Sequence, residues 1–173
     1  MSFRSLKHEA RRRSPAAMVK HLNSFHLDMK FSAGVWYFFP GGGHFHDAYR
    51  VRPQGRDEWL KRVFEIAESL SPYGLKGLEA HYPNEVDEDN LEDYKAFEKA
   101  TGIRLVTIIP NLFFDTSFEW GALSCPIRSV RKRAIERTTQ ALRLNRSHGT
   151  DFAVVWPGID GYENAFGTDF QAA

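Results

Sequence analysis

Short apolar runs alternate with longer amphipathic stretches along most of the chain. The runs cover residues 31–39, 77–82, 104–109 and 152–156, and a proline follows each of them. The runs are mostly apolar and do not strictly alternate apolar with polar residues, which is typical of strands buried on both faces of a parallel sheet. The pattern therefore predicts four strands that end at proline-containing turns.

Apolar residues between these runs recur at three- and four-residue spacing, which predicts helices with one buried face. Two helices are predicted over 57–70 and 90–100, and a third begins near Pro126, because proline is favoured in a first helical turn. Gly102 is placed to end the second helix, and Gly149 ends the connection after the third. Alternating strands and helices predict an α/β fold.

The architecture of the sheet stays open on this pattern alone. An open flavodoxin-like sheet could close with four or five strands in a chain of 173 residues. A (β/α)8 barrel needs about 250 residues, so four units would make only half of one. No glycine-rich phosphate loop opens a predicted helix, which weakens the nucleotide-binding form of the open sheet. In both architectures the candidate chemistry collects where the strands end.

Composition restricts the class of protein without indicating a partner. The chain is 42% apolar and 26% charged, as a globular domain is, and its net charge of +1 gives no argument for nucleic acid or an anionic membrane. The single cysteine, Cys125, excludes an intrachain disulfide, and we expect an inert thiol. No apolar run approaches the ~18 residues of a membrane span, and the N-terminus lacks a signal core, so we expect a cytoplasmic protein.

Residues 1–28 differ from the rest of the chain. They carry Arg11, Arg12 and Arg13 in a row and contain none of the strand-like runs. Such a segment either binds an anionic partner or forms a solvated, partly helical lead-in, and the second is the commoner case. We therefore expect a basic lead-in over 1–28 and the α/β domain over 29–173.

Two ionisable side chains lie at the end of the second predicted strand. His81 could exchange a proton with a substrate oxygen, or could simply bond to a backbone carbonyl. Glu79 lies two residues earlier and therefore on the same side of the strand. An acid facing the interior needs a partner or a metal, and the favoured interpretation is a salt bridge to Lys76 or Arg104.

A possible metal-binding string follows the first predicted strand. His44, His46 and Asp47 form an HxHD sequence in a glycine-rich segment, and such side chains can ligate zinc. Two histidines one residue apart are also common in loops without metal, and no second cluster of cysteine or histidine completes a site. Zinc is therefore the less favoured interpretation.

Three aromatic residues at or near strand ends favour a pocket for a sugar. They are Trp36, Phe113 and Trp156. Flat rings stack on the C–H faces of sugars while polar groups bind the hydroxyls. Core packing would explain any one of them, but three together favour a pocket. Asn111 could bind a hydroxyl there or cap the turn after Pro110.

Four strings of this sequence resemble, in their order and spacing, the N-terminal half of xylose isomerase and its relatives in the xylose isomerase-like TIM-barrel superfamily. The strings are GVWYF, GLEAHYPNE, TIIPNLFFD and VVWPGIDGYEN. The similarity covers about residues 30–165, and its most specific parts are NLF at 111–113 and W-x-G-x-x-G-Y-E at 156–163. The resemblance implies that 29–173 form the first four β/α units of an incomplete TIM (β/α)8 barrel.

The resemblance also implies an activity and roles for particular residues. A full barrel of this superfamily holds two divalent cations and interconverts an aldose and a ketose. By resemblance, His81 contacts the sugar ring oxygen and assists ring opening, while Phe45 corresponds to an aromatic that reaches a partner subunit's pocket. The pocket aromatics correspond to Trp36, Phe113 and Trp156. This chain has Tyr-Pro-Asn-Glu where the family has aspartates, so Glu85 is the nearest candidate to orient His81.

The family's metal-binding residues come from strands five to eight, and nothing in this sequence matches them. We therefore expect two divalent cations (magnesium, manganese or cobalt) in the complete barrel and none in this chain. The expected function is a sugar isomerase or epimerase acting on a monosaccharide, a homo-oligomer when complete, of which this chain is an inactive N-terminal fragment. The alternative is a non-catalytic sugar-binding or chain-pairing half-barrel. The zinc-dependent endonuclease IV-like branch is disfavoured by the near-neutral charge.

Overall fold

A computed structural model describes residues 14–24, 29–38, 56–113, 115–118 and 121–157. Several predictions fall outside these ranges: the roles of Arg11, Arg12 and Arg13, of His44, Phe45, His46 and Asp47, and of the string from 158 onward. None of the helices in the described ranges is both long and apolar enough to cross a bilayer.

Three parallel strands and four helices make up the described fold. In chain order these are α1 (Pro15–Asn23), β1 (Phe31–Gly34), α2 (Arg56–Leu70), β2 (Leu75–Tyr82), α3 (Leu91–Thr101), β3 (Arg104–Pro110) and α4 (Arg128–His148). The sheet order is β1-β2-β3, and both pairings are parallel. The predicted α/β class and parallel sheet are confirmed.

The helices begin and end close to where the sequence places them. The bounds of α2 and α3 lie within one residue of prediction, whereas α4 begins two residues after Pro126. Gly102 and Gly149 follow α3 and α4 with φ of 72° and 84°, a left-handed conformation that glycine adopts without a β-carbon clash. In the lead-in, α1 buries no side chain, and the Ser14 hydroxyl caps its first turn.

The core lies between the sheet and the helices that connect its strands. Leu78, Ala80 and Tyr82 of β2 belong to one buried cluster with apolar side chains of α2, α3, β3 and α4. Between α2 and α3, Phe64 stacks on Phe97 with ring centroids 4.2 Å apart and planes inclined by 5°. Burial of these apolar faces is the main term that stabilises the layered arrangement.

The first strand is shorter than predicted. The expected strand over 31–39 pairs with β2 only as far as Gly34, and Val35–Phe38 form a 3₁₀ helix instead. The indole of Trp36 lies against Gly34, at the place where a β-carbon of that residue would stand. The absent β-carbon lets the chain turn back over the end of β1, so the prediction of a continuous strand was wrong.

The fourth predicted strand, at 152–156, does not form in the described residues. At Ile108, the β3 backbone groups that a neighbouring strand would bind are taken by the Asn145 side chain of α4. Its Oδ1 accepts from the Ile108 N–H at 2.9 Å, and its Nδ2 donates to the Ile108 carbonyl at 2.6 Å. Nearby, the Val154 N–H donates to the Thr107 hydroxyl at 3.2 Å. Side chains thus replace ladder hydrogen bonds at this edge, and the strand prediction was wrong.

Candidate functional site

A buried histidine–carboxylate pair stands at the carboxyl end of β2. Glu85 Oε2 lies 3.0 Å from His81 Nδ1, and both side chains have 0% of their surface exposed. The same oxygen accepts the backbone N–H of His81, and the Glu85 N–H donates to the His81 carbonyl at 2.9 Å. The turn after β2 therefore folds back, so that a carboxylate four residues along the chain reaches the imidazole.

The pair favours one tautomer of the imidazole. A carboxylate only accepts hydrogen bonds, so Nδ1 carries the proton toward Glu85, and Nε2 is the nitrogen that gains or loses the second proton. Glu85 Oε1 is buried and bonds to none of the residues described.

Three aromatic side chains, the aromatic row of Trp36, Phe113 and Trp156, form a chain of ring contacts that includes the imidazole of His81. The Trp36 ring lies 4.3 Å from the His81 ring at 37°, and the Phe113 ring lies 5.3 Å away on an edge-on 81° contact. The Trp156 ring is 4.7 Å from Phe113 at 66°. Trp36 is 6% exposed, whereas Phe113 and Trp156 are half-buried. The structure thus brings together the histidine and all three aromatic residues that the sequence singles out.

Asn111 serves the turn after β3. Its Oδ1 accepts the N–H of Phe113 at 3.2 Å, and its Nδ2 donates to Asn84 Oδ1 at 2.5 Å. Asn111 is 2% exposed. Of the two possibilities that the sequence left open, the structure shows the turn cap, and binding of a hydroxyl by Asn111 stays a prediction.

Glu79 has a different partner from the one predicted. Its Oε1 accepts from the Ser32 hydroxyl of β1 at 2.5 Å. Lys76 donates instead to Ser71 at 2.7 Å, and Arg104 pairs with Glu98 and Asp151. The expected salt bridge to Lys76 or Arg104 was wrong, because Glu79 binds Ser32 and each of the two cations binds other partners.

The sequence analysis missed a partly buried cation beside the site. Arg137 of α4 donates to the Asn111 carbonyl at 2.9 Å and to Asp115 Oδ2 at 2.7 Å. Its guanidinium also lies 4.9 Å from the centre of the Phe118 ring. The available signal was its position between Ala134 and Ala141 on the inward stripe of α4, where a charge needs a partner.

Two side chains around the site have displaced pKa values. Burial, followed by the hydrogen bond to Glu88 and its charge, raises the pKa of Tyr82 to about 12, so its hydroxyl stays a neutral donor. Burial would also raise the pKa of Asp115, but hydrogen bonds from Ser117 and Arg137 outweigh it and lower that pKa to about 2. Asp115 therefore stays charged beside Arg137.

The Asp115 shift predicts a loss of stability in acid. Its pKa lies below the ordinary 3.8 in the folded chain, so its stabilising effect is complete above about pH 4 and is lost as pH falls toward 2. We expect a loss of about 1 kcal/mol, because solvent screens a carboxylate that is one-third exposed. Urea unfolding of the chain and of Asp115→Asn at about pH 5 and pH 3 measures it. An equal acid loss in both proteins would contradict the assignment.

A metal site is not found among the residues that the structure describes: no three histidine, cysteine, aspartate or glutamate side chains there are grouped so that they could hold an ion. His81 and Glu85 are only a pair. Cys125 is buried and forms no disulfide. The described site accordingly does not fit the expected two-cation centre.

Fold and site together define an α/β protein with an aromatic-lined histidine–carboxylate pair at the carboxyl end of a parallel sheet. The chain is related to xylose isomerases. That of Thermus thermophilus is 29% identical over 144 residues, 78% of this chain and 35% of the relative, and that of Rhodopirellula baltica is 28% identical over 165 residues, 83% and 37%. The Thermotoga maritima enzyme is 26% identical over 160 residues, 82% and 36%. No family model matches the chain.

These comparisons confirm the resemblance stated from the sequence strings. The matches cover about four fifths of this chain. The chain spans about a third of the length of the curated relatives it matches. Any activity of a whole protein of that kind is therefore a proposal for this chain.

Proposed function

We propose that this chain supplies the sugar-facing wall of an aldose–ketose isomerase of the xylose isomerase type, with 29–173 as an N-terminal part of a (β/α)8 barrel. The observation that carries the proposal is the buried His81–Glu85 pair, flanked by the rings of Trp36 and Phe113. Relatedness to xylose isomerases supports the substrate class. The roles of these residues, the homo-oligomeric state and the cytoplasmic location are parts of the same proposal.

His81 acts in sugar ring opening as a proton donor. Nδ1 holds its proton toward Glu85 Oε2, 3.0 Å away, so a proton on Nε2 is the one available to the sugar. Nε2–H gives this proton to the ring oxygen of a cyclic aldose as the bond from that oxygen to the anomeric carbon breaks. The anomeric hydroxyl loses its proton to water and becomes the carbonyl, and the imidazole regains a proton from water. The carboxylate of Glu85 fixes the orientation of the imidazole for this step, since it accepts the hydrogen bond from Nδ1–H.

The aromatic row provides the apolar part of the pocket. Trp36, Phe113 and Trp156 present ring faces and edges on which the C–H face of a monosaccharide can stack. The rings also exclude water from the imidazole, which strengthens hydrogen bonds made there. The aromatic side chains thus bind and orient the sugar while His81 handles the proton.

The described residues do not hold the two divalent cations (magnesium, manganese or cobalt) expected of a complete barrel. Such ions polarise substrate oxygens when bound. For the pair of His81 and Glu85 we therefore propose only binding of the sugar and opening of its ring. Conversion of aldose to ketose is proposed for the whole protein.

Titration with an aldopentose tests the sugar pocket. We expect xylose to change the tryptophan emission of the purified chain with a dissociation constant on the order of millimolar. His81→Gln should weaken binding about tenfold, the cost of one hydrogen bond to a charged group. Trp59→Phe is the control for the emission signal, because Trp59 packs against the core cluster between sheet and helices and the variant should keep the response to xylose. Emission insensitive to every aldose would rule out the pocket.

A turnover assay separates the isomerase from the non-catalytic alternative. Aldose–ketose conversion is measured with added magnesium, manganese or cobalt in the chain and in any longer protein that contains it. We expect that only the longer protein converts the aldose to the ketose. Sugar binding without turnover in both would favour a non-catalytic binding domain, and turnover by the 173-residue chain would contradict our expectation that it is inactive alone.

Glu85→Gln tests the tautomer of His81. The glutamine keeps the size of the side chain but removes the charge that holds the Nδ1 proton. We expect the wild-type Nδ1 to give a pyrrole-like ¹⁵N resonance, and the variant to lose that preference and bind xylose more weakly. Glu88→Gln, which removes an exposed carboxylate of the same turn region, is the control. A pyridine-like Nδ1 in the wild type would contradict the mechanism.

A further inference from the structure

Arg137 connects helix α4 to the segment after β3 that contains Asn111, Phe113 and Asp115. The two ends of its guanidinium reach different parts of that segment, the Asn111 carbonyl at 2.9 Å and Asp115 Oδ2 at 2.7 Å. Phe118 lies under the guanidinium at 4.9 Å. Asp115 is held independently by the Ser117 N–H at 2.9 Å and hydroxyl at 2.7 Å. These contacts fix the segment on both sides of Phe113.

The residue that Arg137 holds also contacts the other half of the site. Asn111 Nδ2 donates to Asn84 Oδ1, and Asn84 lies in the turn between His81 and Glu85. Asn111 Oδ1 accepts the N–H of Phe113. One backbone carbonyl bound by Arg137 therefore belongs to a residue that joins both turns of the site.

The chemistry of the guanidinium suits this arrangement better than that of an ammonium group. Arginine presents several N–H donors in a rigid plane, so it can hold a carbonyl and a carboxylate at once with a fixed angle between them. The side chain is only 17% exposed, and Asp115 is 34% exposed. A lysine at this position would reach one of the two acceptors as a point charge.

We propose that Arg137 is a positioning residue that sets the ring of Phe113 edge-on to the imidazole of His81. It acts through Asn111 and Asp115 and contacts neither the imidazole nor the proposed sugar. Its importance for catalysis rests on the proposed function, whereas its effect on the Phe113 ring does not. A residue that only stabilised the fold would leave the geometry of the folded state unchanged.

Ring-to-ring nuclear Overhauser effects distinguish positioning from simple stabilisation. In Arg137→Met, measured well below its melting temperature, we expect the cross-peaks between Phe113 and His81 to be lost and those between Trp36 and His81 to remain. Arg137→Lys should restore the Phe113 cross-peaks in part. Arg133→Met, which changes an exposed arginine of α4 with no ion pair among the described residues, should leave both sets intact. Unchanged Phe113 cross-peaks in a folded Arg137→Met would overturn the proposal.

Two further measurements keep the outcomes separate. If Arg137→Met does not fold, Asp115→Ala removes one of the two acceptors, and it should weaken the same Phe113 cross-peaks; full retention there counts against positioning. In the sugar titration, Arg137→Met should raise the xylose dissociation constant by about tenfold. If the wild-type chain binds no sugar, the proposed function fails, while the cross-peaks still decide whether Arg137 positions Phe113.

Discussion

Replacing Asn145 by leucine should lower the free energy of unfolding by about 3–5 kcal/mol. The carboxamide accepts the N–H of Ile108 and donates to its carbonyl, and it also binds the Ala141 carbonyl and the Thr150 hydroxyl. Asn145 is 5% exposed, so water cannot readily replace these bonds. Each buried backbone group left without a partner costs about 1–3 kcal/mol, which exceeds the gain from burying an apolar side chain of similar size.

Urea unfolding of the wild-type chain and three variants measures the effect. Gln140→Leu is the matched control, because it makes the same kind of change at an exposed position of α4 and should cost no more than about 0.5 kcal/mol. Asn145→Asp should cost at least as much as Asn145→Leu, since a buried carboxylate oxygen would then face the Ile108 and Ala141 carbonyls in place of the donor. Equal stabilities for Asn145→Leu and Gln140→Leu would show that the carboxamide does not hold the edge of β3.

Replacing Gly34 by alanine should displace Trp36 and open the site. A β-carbon at Gly34 would lie within the indole of Trp36, which has to move away from its contact with His81. Gly34 has no positive φ, so the backbone accepts alanine, and lower entropy of the unfolded chain favours it by about 0.4–1 kcal/mol. Overpacking costs about 1–3 kcal/mol, so we expect net destabilisation and loss of the Trp36–His81 ring contact.

A double-mutant cycle assigns this effect to the indole. In the background of Trp36→Leu, the smaller side chain leaves room, so Gly34→Ala should be neutral or slightly stabilising. The wild-type background should show the full loss of stability together with a change in tryptophan emission and weaker xylose binding. The same loss in both backgrounds would mean that some neighbour other than Trp36 resists the methyl group.

The sequence predicted well those features that depend on short-range patterns. Periodic apolar residues placed α2 and α3 within one residue of their bounds, and Gly102 ended α3 as expected, because a left-handed residue there needs no side chain. Mostly apolar runs without strict alternation predicted a parallel sheet buried on both faces. The same runs failed at 35–38, where the absent β-carbon of Gly34 lets Trp36 fold back, and at 152–156, where Asn145 of α4 binds the edge of β3.

Part of the site could also be predicted from the sequence. The period of a strand and the position of its end put His81 beside the aromatic residues, and Glu85 was the nearest carboxylate after it. The partner of Glu79 could not be chosen in this way. Lys76 lies on the same strand, Ser32 and Arg104 lie on the two neighbouring strands, and the sequence does not give the register of those strands. Arg137 follows β3 by more than twenty residues, and only the packing of α4 on the sheet brings it to Asn111.

The sequence by itself determined the α/β class, the parallel strands, the helices and a strand-end histidine among aromatic residues, because these follow from periodicity and composition within single segments. Only the tertiary structure decided that Asn145 takes the place of a strand beside Ile108, that Trp36 folds onto Gly34, and that Arg137 holds the segment carrying Phe113. These contacts join segments far apart in sequence or depend on the space left by one missing β-carbon. Such distances are set by packing, which a pattern along the chain does not contain.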